Sequence, residues 1–324
     1  MTAMLICVSH SPITLIRAKA PEREPEILSL YERTAQEVAS FDPELVVVFA
    51  SDHFAGFHYS LMPSYCVGLE ASAVADVGGF GGEFRVPRET VLSVVQALMA
   101  RGFDPAVSHR MKVDHAFSQP VHRLCGSLDR YPVIPIFLNA IAAPMLSFGR
   151  ARLLGVALGE IFSNVDARIL VIASGGLSHH PTRYYPALGS GSPEVEAWQM
   201  SGPDSGMSSD AWFDKLKSMH EEGANMLIDG RRTVRDIRLN EAFDERFMDL
   251  MCATDISVVD NWATDSVIEE AGIGAMELNA WTAGWSTYRQ LQSAPVRRQI
   301  YVPALEYGIG YGMVVAGGVG TGVG

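Results

Sequence analysis

The sequence predicts an α/β fold with a largely parallel central sheet flanked by helices, of the three-layer αβα type. Three observations predict it: short apolar, β-branched runs, longer segments with apolar residues three to four apart, and the alternation of the two along the chain. Met4 to Val8 is the first run and predicts a strand. Glu26 to Phe41 follows with Ile27, Leu30, Val38 and Phe41 at helical spacing. Leu45 to Phe49 predicts the next strand, and Arg88 to Arg101 a helix through Val91, Val94, Val95 and Leu98. Val133 to Phe137 and Ile169 to Ile172 read as strands on either side of a helix from Leu146 to Phe162. Beyond them come helices at Ser208 to Ile228 and Glu277 to Gln290, with one possible short strand at Gly312 to Ala316.

The 324 residues are 48% hydrophobic, enough for a sizeable core. No internal repeat interrupts them. Residues 1–316 are expected to form a single catalytic domain. Gly189 to Ser209, rich in Gly, Ser and Pro, reads as a mobile surface loop or lid, and the Gly-rich tail at 317–324 as disordered. A net charge of −12 leaves no footprint for nucleic acid or an anionic membrane, so the expected partner is a small molecule or another copy of the chain. The opening MTAMLICVSHSP carries neither a basic leader nor a span-length apolar run, which makes the cytoplasm the expected compartment. Cys7, Cys66, Cys125 and Cys252 lie far apart with no Cys-x-x-Cys pair, so any metal must be held by His and carboxylate.

The nine histidines are informative by position. His10, His53 and His179 each fall a few residues past an expected strand, where open α/β sheets place their ligands. Parallel neighbouring strands would bring all three to one crevice. His115 is preceded by Asp114, which could orient or charge-tune its imidazole. Two imidazoles and one carboxylate leave open positions on a divalent transition metal such as Fe(II), and open positions imply catalysis. The residues alone do not say which carboxylate joins, or which histidines stay off the metal. His58, His109, His122 and His220 lack the strand-end placement and read as surface or satisfied core residues.

Ser9-His10-Ser11-Pro12, Asp52-His53 after Pro43 to Phe49, Val113-Asp114-His115 with Gln119-Pro120, and Ser174-Gly175-Gly176-Leu177-Ser178-His179 together resemble the class III extradiol ring-cleavage dioxygenases. The likeness runs through nearly the whole chain and is strongest to the 2,3-dihydroxyphenylpropionate 1,2-dioxygenase branch. It implies Fe(II) held by His10, His53 and Glu277, an acid/base pair at His115 and His179 with Asp114 and Pro181 beside them, and a homo-oligomer that opens a substituted catechol with O₂. On that reading His115 takes the catechol proton and His179 supplies one later. His180 stands where relatives often carry glutamine, so the neighbouring imidazoles could exchange roles. Glu277 by itself reads only as a glutamate at a helix start, favoured by the positive end of the dipole.

Other readings are weaker. Ser178-His179 suggests a hydrolase pair, but there is no Gly-x-Ser-x-Gly elbow, Walker loop or His-Glu-x-x-His motif. Gly78 to Gly82 follows no clear strand and opens no helix, and reads as a flexible turn without a ligand. A non-catalytic binding protein on the same scaffold would be expected to have lost a ligand or an acid/base residue. Gallate and protocatechuate remain alternative substrates. A side-chain carboxylate would call for an Arg, with Arg85, Arg110 and Arg183 as unranked candidates.

Overall fold

Strands with apolar side chains on both faces need cover on both sides, and that requirement organises the structure. In the computed structural model, which describes residues 2–16 and 19–318, the strands are β1 (Thr2–Val8), β2 (Leu45–Ala50), β3 (Tyr65–Gly68), β4 (Ala71–Ala73), β5 (Gly82–Glu83), β6 (Ala106–Ser108), β7 (Met111–Val113), β8 (Val133–Leu138), β9 (Arg168–Ser174), β10 (Arg297–Ala304) and β11 (Ile309–Gly317). The helices are α1 (Glu24–Phe41), α2 (Arg88–Met99), α3 (His115–Cys125), α4 (Phe148–Phe162), α5 (Pro193–Ser201), α6 (Ser209–Ile228), α7 (Glu241–Met251), α8 (Thr264–Ala271) and α9 (Leu278–Leu291).

Eight strands form one sheet in the order β10-β11-β1-β9-β2-β8-β3-β6, and β5-β4-β7 form a small second one. Its centre, β1-β9-β2-β8, is parallel throughout. Along β1 the side chains of Ala3, Leu5 and Cys7 join a core with α2, α4 and α9, whereas Met4, Ile6 and Val8 face α1 and α3. The three-layer arrangement follows from this alternation. α4 and α9 cross closely because Gly155 and Gly159 carry no side chain: a Cβ there would stand 2.2 Å from the Ala283 carbonyl oxygen and 2.5 Å from that of Thr287. Thr287 Oγ1 uses the approach to donate to the Gly155 carbonyl at 3.1 Å. No described helix is long and apolar enough to cross a membrane.

The structure corrects three expectations. The C-terminal half contributes two strands rather than one, because β10 pairs antiparallel with β11 at the sheet edge. Much of Gly189 to Ser209 is helical: Ser192 caps α5, which begins with Pro193 and buries Trp198 and Gln199, and Ser208 caps α6. Gly317 closes β11 rather than opening a tail, and residues 319–324 lie outside the described residues.

Candidate active site

Since β1, β9 and β2 are parallel neighbours, their carboxyl ends share one edge of the sheet. His10, His179 and His53 lie just beyond those ends and line one cavity together with His115. Each is fixed from behind. His10 Nδ1 meets Ser174 Oγ, at the end of β9, at 2.9 Å. The Asp52 carboxylate accepts from the backbone amides of Ala55, Gly56 and Phe57, shaping the turn that presents His53. His179 Nδ1 donates to the Leu177 carbonyl at 2.8 Å, so Nε2 is its nitrogen available to a substrate.

Glu277, in the short 3₁₀ turn that leads into α9, brings its buried carboxylate to the same place. Its oxygens lie 2.9 Å from His53 Nε2 and 3.5 Å from His10 Nε2. Ser51 Oγ and the Gly176 amide also donate to it, at 2.8 and 2.7 Å. Burial alone would raise this carboxyl, but His10 and His53 outweigh burial and hold it well below the usual carboxylate range. Burial lowers His10 against the pull of Glu277. It would lower His53 too, yet Asp114 and Glu277 reverse the sign and raise it well above its ordinary value.

Asp114 has a different place from the one its sequence position suggests. It caps α3 through the Ala116 amide, and its other oxygen accepts from His53 N at 2.7 Å and meets His53 Nδ1 at 2.8 Å. The carboxylate on His115 Nδ1 is Asp76, at 2.5 Å, whereas Asp114 is 3.9 Å away. Asp114 therefore orients His53 and Asp76 orients His115. The glycine turn delivers Asp76: a Cβ on Gly79 would stand 2.1 Å from Asp76 Oδ1, and α3 pins the turn, with Gln119 Nε2 donating to the Gly78 carbonyl and Ser118 Oγ accepting from the Phe80 amide. Gly79→Ala is expected to displace Asp76, cutting turnover while costing about 1–3 kcal/mol of stability. Steady-state rates beside a thermal melt check this, and full turnover would show that Asp76 does not set His115.

His115 Nε2 is buried and has no hydrogen-bond partner among the described residues. His10, His53 and His115 offer ring nitrogens within 4.8 Å of one another. A buried imidazole nitrogen without a partner, beside two more imidazoles and a carboxylate, fits a metal centre with substrate bound at it. Burial would lower His115, but Asp76 and Asp114 raise it; burial lowers His179.

His180 also lines the cavity, but its Nδ1 is committed to the Ile273 amide, from which it accepts at 3.2 Å, and burial, helped by Arg238, lowers it to about 4. Pro181 opens the turn whose amides at Tyr184 and Tyr185 bond its carbonyl, and both tyrosines line the cavity. The Ser178 hydroxyl donates to Asp244 at 2.6 Å and accepts from Asn240 N, so it is no nucleophile for His179. Asp244, which also binds the Ser178 amide and the Tyr301 hydroxyl, had no signal in the sequence. His109 is exposed and His122 stacks on Phe80, while His220 is a buried residue whose Nδ1 donates to the Leu216 carbonyl and whose ring stacks on Tyr184 in the cavity wall. Arg85 and Arg110 are exposed and Arg183 pairs with Glu222; none of the three lines the cavity.

Residues 4–300 match the family described as the catalytic LigB subunit of aromatic ring-opening dioxygenase. The chain belongs to that family. Its relatives include 2,3-dihydroxyphenylpropionate/2,3-dihydroxicinnamic acid 1,2-dioxygenases from Paraburkholderia xenovorans, 36% identical over 95% of both chains, and Photorhabdus laumondii, 35% identical over 98% of both. A third, from Escherichia coli, is 34% identical over 98% of this chain and 99% of its own. This LigB member is an extradiol catechol dioxygenase, in a metal-dependent family.

Proposed function

We propose that this LigB member opens the ring of 2,3-dihydroxyphenylpropionate beside its two hydroxyls, with Fe(II) held by His10, His53 and Glu277 and with O₂ as co-substrate. The observation that carries this is the meeting of His10 Nε2 and His53 Nε2 at one buried carboxylate, next to an unpartnered His115 Nε2. Fe(II) in such a setting supplies open positions where a catechol and O₂, which react slowly with each other directly, can meet. Glu277 offsets part of the metal charge. His115 and His179 present Nε2 to the cavity with Nδ1 already committed, so one can take a proton from a catechol hydroxyl and the other return one to the opening ring. The same reading makes residues 1–316 one catalytic domain of a cytoplasmic homo-oligomer.

The protein is purified without air, loaded with Fe(II), and mixed with air-saturated buffer and a panel containing 2,3-dihydroxyphenylpropionate, gallate and protocatechuate. The expected result is a yellow ring-opened product with equimolar O₂ uptake, fastest for 2,3-dihydroxyphenylpropionate. Faster opening of gallate or protocatechuate would reassign the substrate, and full activity with another divalent ion alone would reassign the metal.

A further inference from the structure

A bare catechol needs only the imidazoles, yet the cavity that holds them is lined by more than these. Ile13, Leu227, Ile237 and Ile309 also line it, together with Arg232 and Tyr184. Arg232 is the single Lys or Arg lining the cavity among the described residues. It follows the C-terminal end of α6, where its amide donates to the Met226 carbonyl at 2.8 Å. Its guanidinium leans on Tyr184, with Nη1 3.4 Å from the hydroxyl and Cζ 5.9 Å from the ring centroid.

Nearby arginines are already matched to carboxylates, Arg183 to Glu222 and Arg231 to Asp229. Arg232 makes no such ion pair among the described residues. Burial lowers His220 to about 3 and His180 to about 4, so both imidazoles beside it are neutral at physiological pH. A fixed positive charge with no carboxylate paired to it among the described residues, on the wall of a partly enclosed cavity beside apolar side chains and neutral imidazoles, calls for an anion on the ligand.

We propose that Arg232 receives a carboxylate at the end of the substrate's side chain, so that the site selects aryl-alkanoates over uncharged alkyl catechols. This rests on the cavity being the ring-opening site proposed above. Apolar walls suit the methylene spacer, and the planar guanidinium offers paired N–H donors to a carboxylate.

The test compares wild type with R232M and R232K on 2,3-dihydroxyphenylpropionate and on 3-propylcatechol, which has a methyl group where the acid has its carboxylate. The preference for the acid, as a ratio of kcat/KM values, is expected to fall about 10- to 100-fold in R232M, with part of it regained in R232K. Loss of rate on both substrates with the ratio intact would overturn the proposal, as would an unchanged ratio. A second arm titrates the metal-free protein with 3-phenylpropanoate, which lacks the hydroxyls. Wild type should bind it and R232M should not, with both showing the same thermal melt. Failure of wild type to open any catechol would sink the functional reading alone, whereas equal 3-phenylpropanoate binding by wild type and R232M would sink the role of Arg232.

Discussion

Glu277→Ala is expected to yield a folded protein that retains no metal. Among the described residues its carboxylate is the acidic group shared by His10 and His53, and it is buried. Its removal leaves their Nε2 atoms without a counter-charge and strips the Ser51 hydroxyl and Gly176 amide of their acceptor. The orphaned donors cost about 1–3 kcal/mol of stability. Loss of metal affinity should exceed the ~10–100-fold that removal of an outer-shell partner costs. Metal per chain, measured after anaerobic loading and gel filtration, checks this, with Glu277→Gln keeping the shape as control. His10→Ala and His53→Ala should behave likewise, and any of the three that keeps a full complement of metal is not a ligand.

His115→Gln and His179→Gln should give the opposite pattern: normal metal content with turnover down about 10²- to 10⁴-fold, the usual worth of a positioned acid or base. His180→Gln should retain most of its rate, because His180 faces the Ile273 amide and a glutamine oxygen can accept from it as well. The informative departure concerns His115. Its nitrogen clusters with those of His10 and His53. If His115→Gln lost metal as fully as Glu277→Ala, His115 would move from the acid/base pair into the ligand set. Anaerobic metal titration alongside single-turnover kinetics separates the cases.

The central strands were legible because each is covered on both faces, which leaves an unbroken apolar run that local sequence displays. Strand-end histidines became legible through them, and the parallel pairing of β1, β9 and β2 explains why three distant imidazoles meet. Edge elements left weaker marks. β10 begins Arg297-Arg298-Gln299, polar because an edge strand is half wet, and α3 contains Pro120, which masks its helical pattern. The stretch from Gly189 reads as loop by composition, although Ser192-Pro193-Glu194 is a helix start by its cap, its N1 proline and its first-turn acid. Partners set by the tertiary fold left no local trace. Asp76 reaches His115 across 39 positions, and Arg232 reaches the cavity from the end of α6, so only the assembled chain shows what they touch.

The pairing of β1 with β11 has a consequence for how the enzyme comes into being. During synthesis the ribosome releases His10, His53, His115 and His179 long before Glu277, and β11, which closes the sheet beside β1, comes out later still. A nascent chain thus carries imidazoles that cannot yet form a centre. With His10, His53 and Glu277 holding the metal as proposed, insertion waits until Glu277 and β11 have emerged, and metal can then be supplied to the folded chain without new translation.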